Sequence, residues 1–279
     1  MKKILITGAN SYIGSYFSIF MRKFSGYQVD SVSIQDGAWK KKDFTGYDVI
    51  FHTAGIAHRK ETEKNAYLYY EVNRDLTLNV AKKAKEANVK QFVFLSSMSV
   101  YGMDSGVIDK DTKPNPKNNY GKSKLQAEEK LAALDDDRFQ VCVLRPPMVY
   151  GRDCKGNFQS IVKIVKKYHI FPRVKNRRSM IYIDNLSHFV KMAVDKELGG
   201  LYFPQNKEYV RTDKMASLIA GKLNRKIYYS RIIGSGVVLL RPFVTVARKA
   251  FGSLIYKNTE DFNFSYCVVG FDESIKESV

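Results

Sequence analysis

Ile4-Leu5-Ile6-Thr7-Gly8-Ala9-Asn10-Ser11-Tyr12-Ile13-Gly14 decides how the chain folds. The run Ile4 to Thr7 reads as a short buried strand, and Tyr12 to Phe24 as the helix after it. A glycine turn between a strand and a helix lets backbone N–H groups approach a phosphate held at the positive helix end. The three-glycine form of this turn is incomplete, because Ser11 stands at the middle position.

Outward from this unit the pattern repeats. Val29 to Ser33, Val49 to His52, Gln91 to Leu95 and Val141 to Leu144 read as further strands. Helical spacing covers Tyr70 to Glu86 and Ser123 to Leu134. Strand–helix alternation predicts an α/β fold, a Rossmann-type doubly wound parallel sheet. His52-Thr53-Ala54-Gly55 supplies a second small-residue turn at the carboxyl edge, where open α/β sheets bind ligands. The end of the second strand offers Ser33, with Asp36 slightly beyond, rather than the acid that reads an NAD ribose. NAD is expected, with NADP left open.

Past Tyr150 the alternation loosens. Residues 1–150 are expected to form the dinucleotide-binding domain and 151–279 mainly a smaller substrate lobe. Met180 to Ile183, a helix at Leu186 to Val194, and Leu201 to Pro204 are expected to rejoin the sheet. A helix is expected near Ser160 to Tyr168.

The 279 residues carry 46 Lys+Arg against 28 Asp+Glu, a net charge of +18 that suggests an anionic partner: nucleic acid, an acidic membrane surface or a phosphorylated small molecule. The basic residues are scattered, with short runs at Lys40-Lys41-Lys42 and Arg177-Arg178, and read as a solvated surface with a local anion site. Cys142, Cys154 and Cys267 have no metal-type spacing, and their odd count fits a reducing, cytoplasmic setting. No apolar run is long enough to span a membrane. The nearest, Gly236 to Phe251, is broken by Arg241, Pro242, Arg248 and Lys249. It reads as a packed helix of the small lobe, with an amphipathic surface helix as the alternative.

The chemistry sits in Tyr120-Gly121-Lys122-Ser123-Lys124, which puts a phenol and an ammonium on one face of a helix start. A free tyrosine titrates at about 10, so a phenolate at neutral pH needs about 4 kcal/mol of help. Lys124 and a cationic nicotinamide ring are expected to supply it. Upstream, Leu95-Ser96-Ser97-Met98-Ser99 places Ser97 just past a strand end, where it can hydrogen-bond a substrate alcohol or ketone.

Together these motifs resemble the extended short-chain dehydrogenase/reductases, the NAD-dependent epimerases and dehydratases that include UDP-glucose 4-epimerase. The likeness runs from Met1 to about Ala193. It implies Ser97, Tyr120 and Lys124 as catalytic residues. It also implies a cofactor site of Gly8, Ser11, Tyr12, Ile13, Gly14, Ser33, Asp43, Phe44, Ala54, Gly55 and Asn73, joined by Tyr120 and Lys124. For a UDP-linked sugar it implies Ser97, Met98, Lys155, Asn157, Phe158 and Arg178. Leu144-Arg145-Pro146-Pro147-Met148-Val149-Tyr150-Gly151 matches the strand and turn before the lobe, with Met148 where relatives carry asparagine. A homodimer is the family's expectation.

Dehydratases of the group follow the serine with an Asp-Glu pair; Met98 and Ser99 stand there instead, which disfavours dehydration. A 4-epimerase is the leading expectation and a 4-keto reductase the alternative. Loss of Tyr120 or Lys124 would have favoured a non-catalytic dinucleotide-binding regulator, but both are present and no nucleic-acid-binding motif is found.

Overall fold

The computed structural model describes residues 1–35, 37–57, 59, 61–240, 243–244, 248, 250–257 and 263–279. Asp36, Arg241, Pro242 and Lys249 lie outside the described residues. The chain divides into two compact units, the first made of Met1–Gly102, Lys113–Pro146 and Ser187–Pro204.

This first unit is built on six parallel strands: Lys2–Thr7, Tyr27–Val32, Val49–His52, Gln91–Leu95, Gln140–Leu144 and Gly200–Tyr202. Numbered in that order, they lie 2-1-3-4-5-6 across the sheet. Strand one has neighbours on both sides, pairing Ile4 with Val29 and with Val49. The order therefore reverses between strands one and three, the switch point at which doubly wound sheets bind ligands. Ile4, Leu5, Ile6, Phe51, Phe92 and Phe94 are fully buried, so these strands are unbroken apolar runs covered on both faces. Leu201, expected in a late strand, does join the sheet beside Val143.

Between strands three and four, a helical run passes from Ala66–Tyr70 through a π-helical segment, Glu71–Leu76, into Thr77–Glu86. The wide turn is where Asn73 sits; such turns recur at functional sites. The later helix, Asn119–Ala132, starts four residues before the expected Ser123 because the Asn118 carboxamide oxygen caps it, accepting from Gly121 N at 2.8 Å.

The second unit comprises Met103–Thr112, Pro147–Leu186 and Gln205–Val279. It holds three parallel strand pairs: Met148–Tyr150 with Met180–Tyr182, Ile170–Pro172 with Tyr228–Ser230, and Gly106–Ile108 with Leu254–Tyr256. Residues 180–182 thus do not rejoin the large sheet, contrary to the sequence reading. Their partner is set locally: Asn206 accepts from Tyr182 N at 3.0 Å and donates to the Tyr150 hydroxyl at 2.9 Å, closing the pair with a buried polar clasp. Helices Asn157–Lys167, Thr212–Lys222, Arg231–Leu240 and Phe271–Ser278 complete the unit. Among the described residues no helix is long and apolar enough to cross a membrane.

One core residue of the first unit is polar. His52, at the end of strand three, has no exposed surface and stacks on Phe92 and Phe94. Its Nδ1 lies 2.7 Å from Thr7 Oγ1 and its Nε2 3.0 Å from Thr77 Oγ1. Thr77 donates its own hydroxyl to the Asn73 carbonyl, so Nε2–H donates to Thr77 and Nδ1 accepts from Thr7. Burial first, and the Lys124 charge second, hold the imidazole neutral, with its pKa down to about 3. Above pH 6.5 neither folded nor unfolded imidazole is charged. As pH falls from 6.5 toward 3 the unfolded chain alone takes up the proton, and stability drops by about 1.4 kcal/mol per pH unit. We therefore expect urea unfolding of the wild type to lose about 2 kcal/mol through this residue between pH 7 and pH 5. His52→Gln should be less stable at pH 7 but lack this part of the decline; equal slopes in the two proteins would contradict the account.

Candidate active site

At the switch point of the first unit, Gly8 follows strand one with φ of 116°. A Cβ there would lie 2.8 Å from Ala54 N, and one on Gly14 would lie 2.6 Å from Thr53 Oγ1. The two turns are packed backbone to backbone, leaving helix Tyr12–Met21 to point its N-terminus out of a shallow cradle. The departure at Ser11 has a physical reason. Its φ of −79° suits any residue, and its hydroxyl turns inward, capping the helix through Gly14 N at 3.0 Å and meeting Thr53 Oγ1 at 2.7 Å. This cradle fits a dinucleotide pyrophosphate: small residues, a helix N-terminus and no side chain filling the approach at Gly8.

Asn73 fixes the second loop. Its Oδ1 accepts from Ile56 N at 2.7 Å, while its Nδ2 donates to the Ile56 carbonyl at 3.2 Å and to Ser123 Oγ at 3.0 Å. Ala54 and Gly55 are thereby held beside the helix that carries Lys124. Gly55 lies against it closely enough that a Cβ would be 3.2 Å from Lys124 Nζ. Ser33 sits just beyond strand two, its hydroxyl accepting from Gln35 N at 3.2 Å. Asp43 is exposed and caps a turn through Thr45 N at 2.9 Å. Phe44 is 1% exposed and belongs to the core with Trp39 and Ile50, so its side chain is not offered to a ligand.

The reacting groups come together on the same unit. Ser97 opens the 3₁₀ turn Met98–Tyr101, and its Oγ accepts from Ser99 N at 3.1 Å. Tyr120, in the first turn of its helix, lies near enough to the Ser97 hydroxyl for that group to favour its phenolate. What seats them is Gly121: a Cβ there would meet the Ser99 carbonyl at 2.5 Å, so the 3₁₀ turn and the helix touch through backbone. The residues on either side of this contact are then the serine and the tyrosine. Sequence reading gave Gly121 no role; a glycine directly after the tyrosine was the available signal.

Lys124 is 4% exposed, donates to the Leu95 carbonyl at 2.8 Å, and lies 4.6 Å from the Phe94 ring centre. Burial pulls its pKa down to about 7, against the raising influence of Glu128. Tyr120 moves up from its ordinary value, again through burial, with the Ser97 hydroxyl acting the other way. The expected lowering of the phenol by Lys124 is therefore not seen in this arrangement. Both groups are desolvated, and the ammonium is occupied by the strand carbonyl. Below them Glu128 pairs with Arg145 at 2.5 Å in the interior, accepts from Ser96, and Arg145 reaches the Tyr101 hydroxyl at 2.8 Å. Each partner of this buried pair is further hydrogen-bonded, the condition under which such a pair is tolerated.

Of the remaining candidates, Lys155, Asn157, Phe158 and Arg178 belong to the second unit and Met98 to the first. Lys155 and Asn157 are exposed at the start of helix Asn157–Lys167. Phe158 is 1% exposed and packs on Tyr150 with ring centres 5.5 Å apart, which makes it a core residue rather than a ligand contact. Arg178 donates to the Gly252 carbonyl at 2.9 Å, and burial lowers its pKa, with Asp104 opposing. Its Nε is buried with no hydrogen-bond partner among the described residues. Met98 is half-buried, its N–H donating to the Pro146 carbonyl at 3.0 Å. A groove of about 600 Å³ occurs at the amino-terminal edge of the sheet, lined by Lys2, Asp48, Asn88 and Gln140; it lies at the opposite edge from the glycine turns.

Comparison with known proteins shows the family and the fold. The family model described as NAD dependent epimerase/dehydratase matches residues 4–202. A UDP-glucose 4-epimerase of Vibrio cholerae is 31% identical over 252 residues, covering 80% of this chain and 76% of its own. An N-acetyl-alpha-D-glucosaminyl-diphospho-ditrans,octacis-undecaprenol 4-epimerase of Escherichia coli O157:H7 is 29% identical over 189 residues, covering 65% and 56%. Among solved structures, a UDP-glucuronic acid 4-epimerase of Bacillus cereus in complex with NAD superposes with a TM-score of 0.77 at 19% identity, covering 99% of this chain and 97% of the other. A dTDP-4-dehydrorhamnose reductase of Clostridium acetobutylicum gives 0.77 at 21% identity, with the same coverage. With most of its length matched by the family model, the chain belongs to the NAD dependent epimerase/dehydratase family and is an enzyme of that NAD(P)-dependent group.

Proposed function

We propose that the enzyme is a 4-epimerase of a UDP-linked hexose that keeps NAD bound through turnover. The observation that carries this reading is the Ser97–Tyr120 pair beside Lys124, seated against the glycine turns that fit a dinucleotide. Gly8, Ser11 and Gly14 would hold the pyrophosphate, Ala54 and Gly55 the next stretch, and Lys124 the nicotinamide ribose. When bound, the nicotinamide supplies a hydride acceptor and donor, and in its oxidised form a positive charge that favours the phenolate of Tyr120. Tyr120 then removes the proton from the sugar 4-hydroxyl, while Ser97 holds that oxygen by its hydroxyl. The same two residues return the proton when the keto group is reduced from its other face. Lys155, Asn157 and Arg178 are proposed to meet the diphosphate, Arg178 through its unpartnered Nε.

A 4-keto reductase would use Tyr120 once, as proton donor, and consume NAD(P)H. The Pro146-Pro147-Met148 turn, without the asparagine of its relatives, favours that second reading. A UDP-2-acetamido-2,6-beta-L-arabino-hexul-4-ose reductase of Pseudomonas aeruginosa, 23% identical across 95% of this chain, is similar to it as well. The Escherichia coli relative acts, by its name, on a sugar diphosphate carried by undecaprenol, so a polyprenol carrier belongs in the substrate panel.

Release and identification of the bound dinucleotide, followed by incubation with UDP-hexoses, tests the proposal. Formation of the 4-epimer without added cofactor is expected; strict dependence on added NAD(P)H and a 4-keto sugar would replace it with the reductase. Tyr120→Phe should lower turnover by roughly 10²–10⁴-fold while dinucleotide affinity stays nearly unchanged. Gly121→Ala should push the 3₁₀ turn off the helix and lower kcat at least about tenfold, since a 1 Å misplacement can cost about 10²-fold. Its dinucleotide affinity should hold, and an unaltered kcat would remove the backbone seat from the account. Arg178→Ala should weaken UDP-sugar binding about 10- to 100-fold, as for loss of a charge-assisted hydrogen bond. Equal weakening of dinucleotide binding would show a purely structural role.

A further inference from the structure

The second unit exposes a stripe of large apolar side chains that its own core does not use. In helix Arg231–Leu240, Ile232 is 87% exposed and Leu239 74%, and Phe243 just beyond is 83% exposed. A spacing of seven residues puts Ile232 and Leu239 on one helical face, and Leu240 beside them is also exposed. The opposite face is anchored. Gly234 lies so close to the residue after strand Ile170–Pro172 that a Cβ would be 2.3 Å from the Arg173 carbonyl, which directs the stripe outward. Tyr228 and Ile170, register partners in the adjoining strand pair, are exposed too. Of the stretch Gly236 to Phe251, read from the sequence as a packed helix or an amphipathic surface one, residues 236–240 belong to this helix, and 241, 242, 245–247 and 249 lie outside the described residues.

The surroundings of the stripe are as one-sided in charge. Residues 154–183 hold eight Lys/Arg and no Asp/Glu, and residues 214–259 hold nine and none. These two acid-free segments hold 17 of the 22 Lys/Arg of the second unit, whose net charge is +10 against +8 for the first. Lys166, Lys167, Arg173, Lys175, Lys226 and Arg231 are exposed, and among the described residues none of them takes part in an ion pair.

We infer that this face docks on an acidic lipid bilayer, with Ile232, Leu239 and Phe243 entering the headgroup region and the surrounding lysines and arginines meeting lipid phosphates. An apolar stripe flanked by basic residues on a helix too short to span is the pattern of an interfacial helix. A second copy of the chain fits less well, because a two-fold contact would oppose two basic rims. Nucleic acid would leave the aliphatic stripe in water.

Flotation of the full chain with vesicles tests this without recourse to activity. Wild-type protein should float with vesicles of equal parts phosphatidylcholine and phosphatidylglycerol, poorly with phosphatidylcholine alone, and less as salt is raised. Leu239→Ser with Phe243→Ser should reduce partitioning at least about tenfold, as expected from the apolar area withdrawn from the bilayer. Arg231→Gln with Lys226→Gln should reduce binding to the acidic vesicles by a similar factor. Both variants change exposed residues, and unaltered far-UV spectra and turnover of a soluble sugar nucleotide would confirm that they fold. No flotation of the wild type with acidic vesicles would overturn the inference, as would equal flotation of the Ser variant. A concentration-dependent dimer that the Ser variant dissociates, without vesicle binding, would assign the face to a second copy instead.

Discussion

A chain of buried hydrogen bonds holds the catalytic helix to the dinucleotide turn. It runs from Thr7, immediately before Gly8, through His52 and Thr77 to Asn73, then through Ser123 to the Tyr120 carbonyl. Every link lies in the first unit's interior, where an unmet polar group costs about 1–3 kcal/mol. Strand one, strand three, the π-helical turn and helix Asn119–Ala132 can therefore shift relative to one another only by breaking such a bond. The neutral imidazole of His52 suits this role, since it donates at one nitrogen and accepts at the other. A charged ring would donate at both, and Thr7 would have to turn its hydroxyl proton away in order to accept.

The same constraint explains how a tyrosine and a lysine can be useful while both are desolvated. Burial disfavours the charged form of each, raising Tyr120 and lowering Lys124. A site in this condition is poised: the phenol remains neutral beside Ser97 until positive charge is placed nearby. Charge brought close in a low-dielectric interior acts far more strongly than in water. In the proposed mechanism, a bound nicotinamide's charge would act on the phenol through this burial rather than through a direct lysine–tyrosine contact. Glu128, one turn beyond Lys124, favours the ammonium, and its own charge is met by Arg145.

Much of this was legible in the sequence because it is local. The strand–turn–helix at Ile4 to Gly14 and the pair Tyr120 and Lys124 each lie within a dozen residues, where spacing carries geometry. What escaped reading depends on contacts between distant segments. Gly121 meets Ser99, His52 joins Thr7 to Thr77, and Met148–Tyr150 pairs with Met180–Tyr182. Three-residue strands leave no alternation to detect, so the second unit was blurred. Phe44 and Phe158 show the reverse failure. Matching a motif places a residue in the right stretch but does not say whether its side chain faces a ligand or the core, and both face the core.

Charge has a finer grain than its total. Lysines and arginines counted along the chain look scattered, because the first unit has 24 of the 46, interleaved with 16 acids. The informative quantity is where acids are missing. An acid-free run finds ion-pair partners only in other segments, as Lys214 does in Glu208 and Asp272 and Arg248 in Asp104, and the cations left without one extend their field outward over about a Debye length, roughly 8–10 Å at physiological salt. The two units carry similar net charge, +8 and +10, but the second gathers 17 of its 22 cations in two acid-free runs, one of which carries the exposed stripe. Charge that serves solubility can be spread over the whole surface, whereas charge that complements one partner must be gathered on the face that meets it.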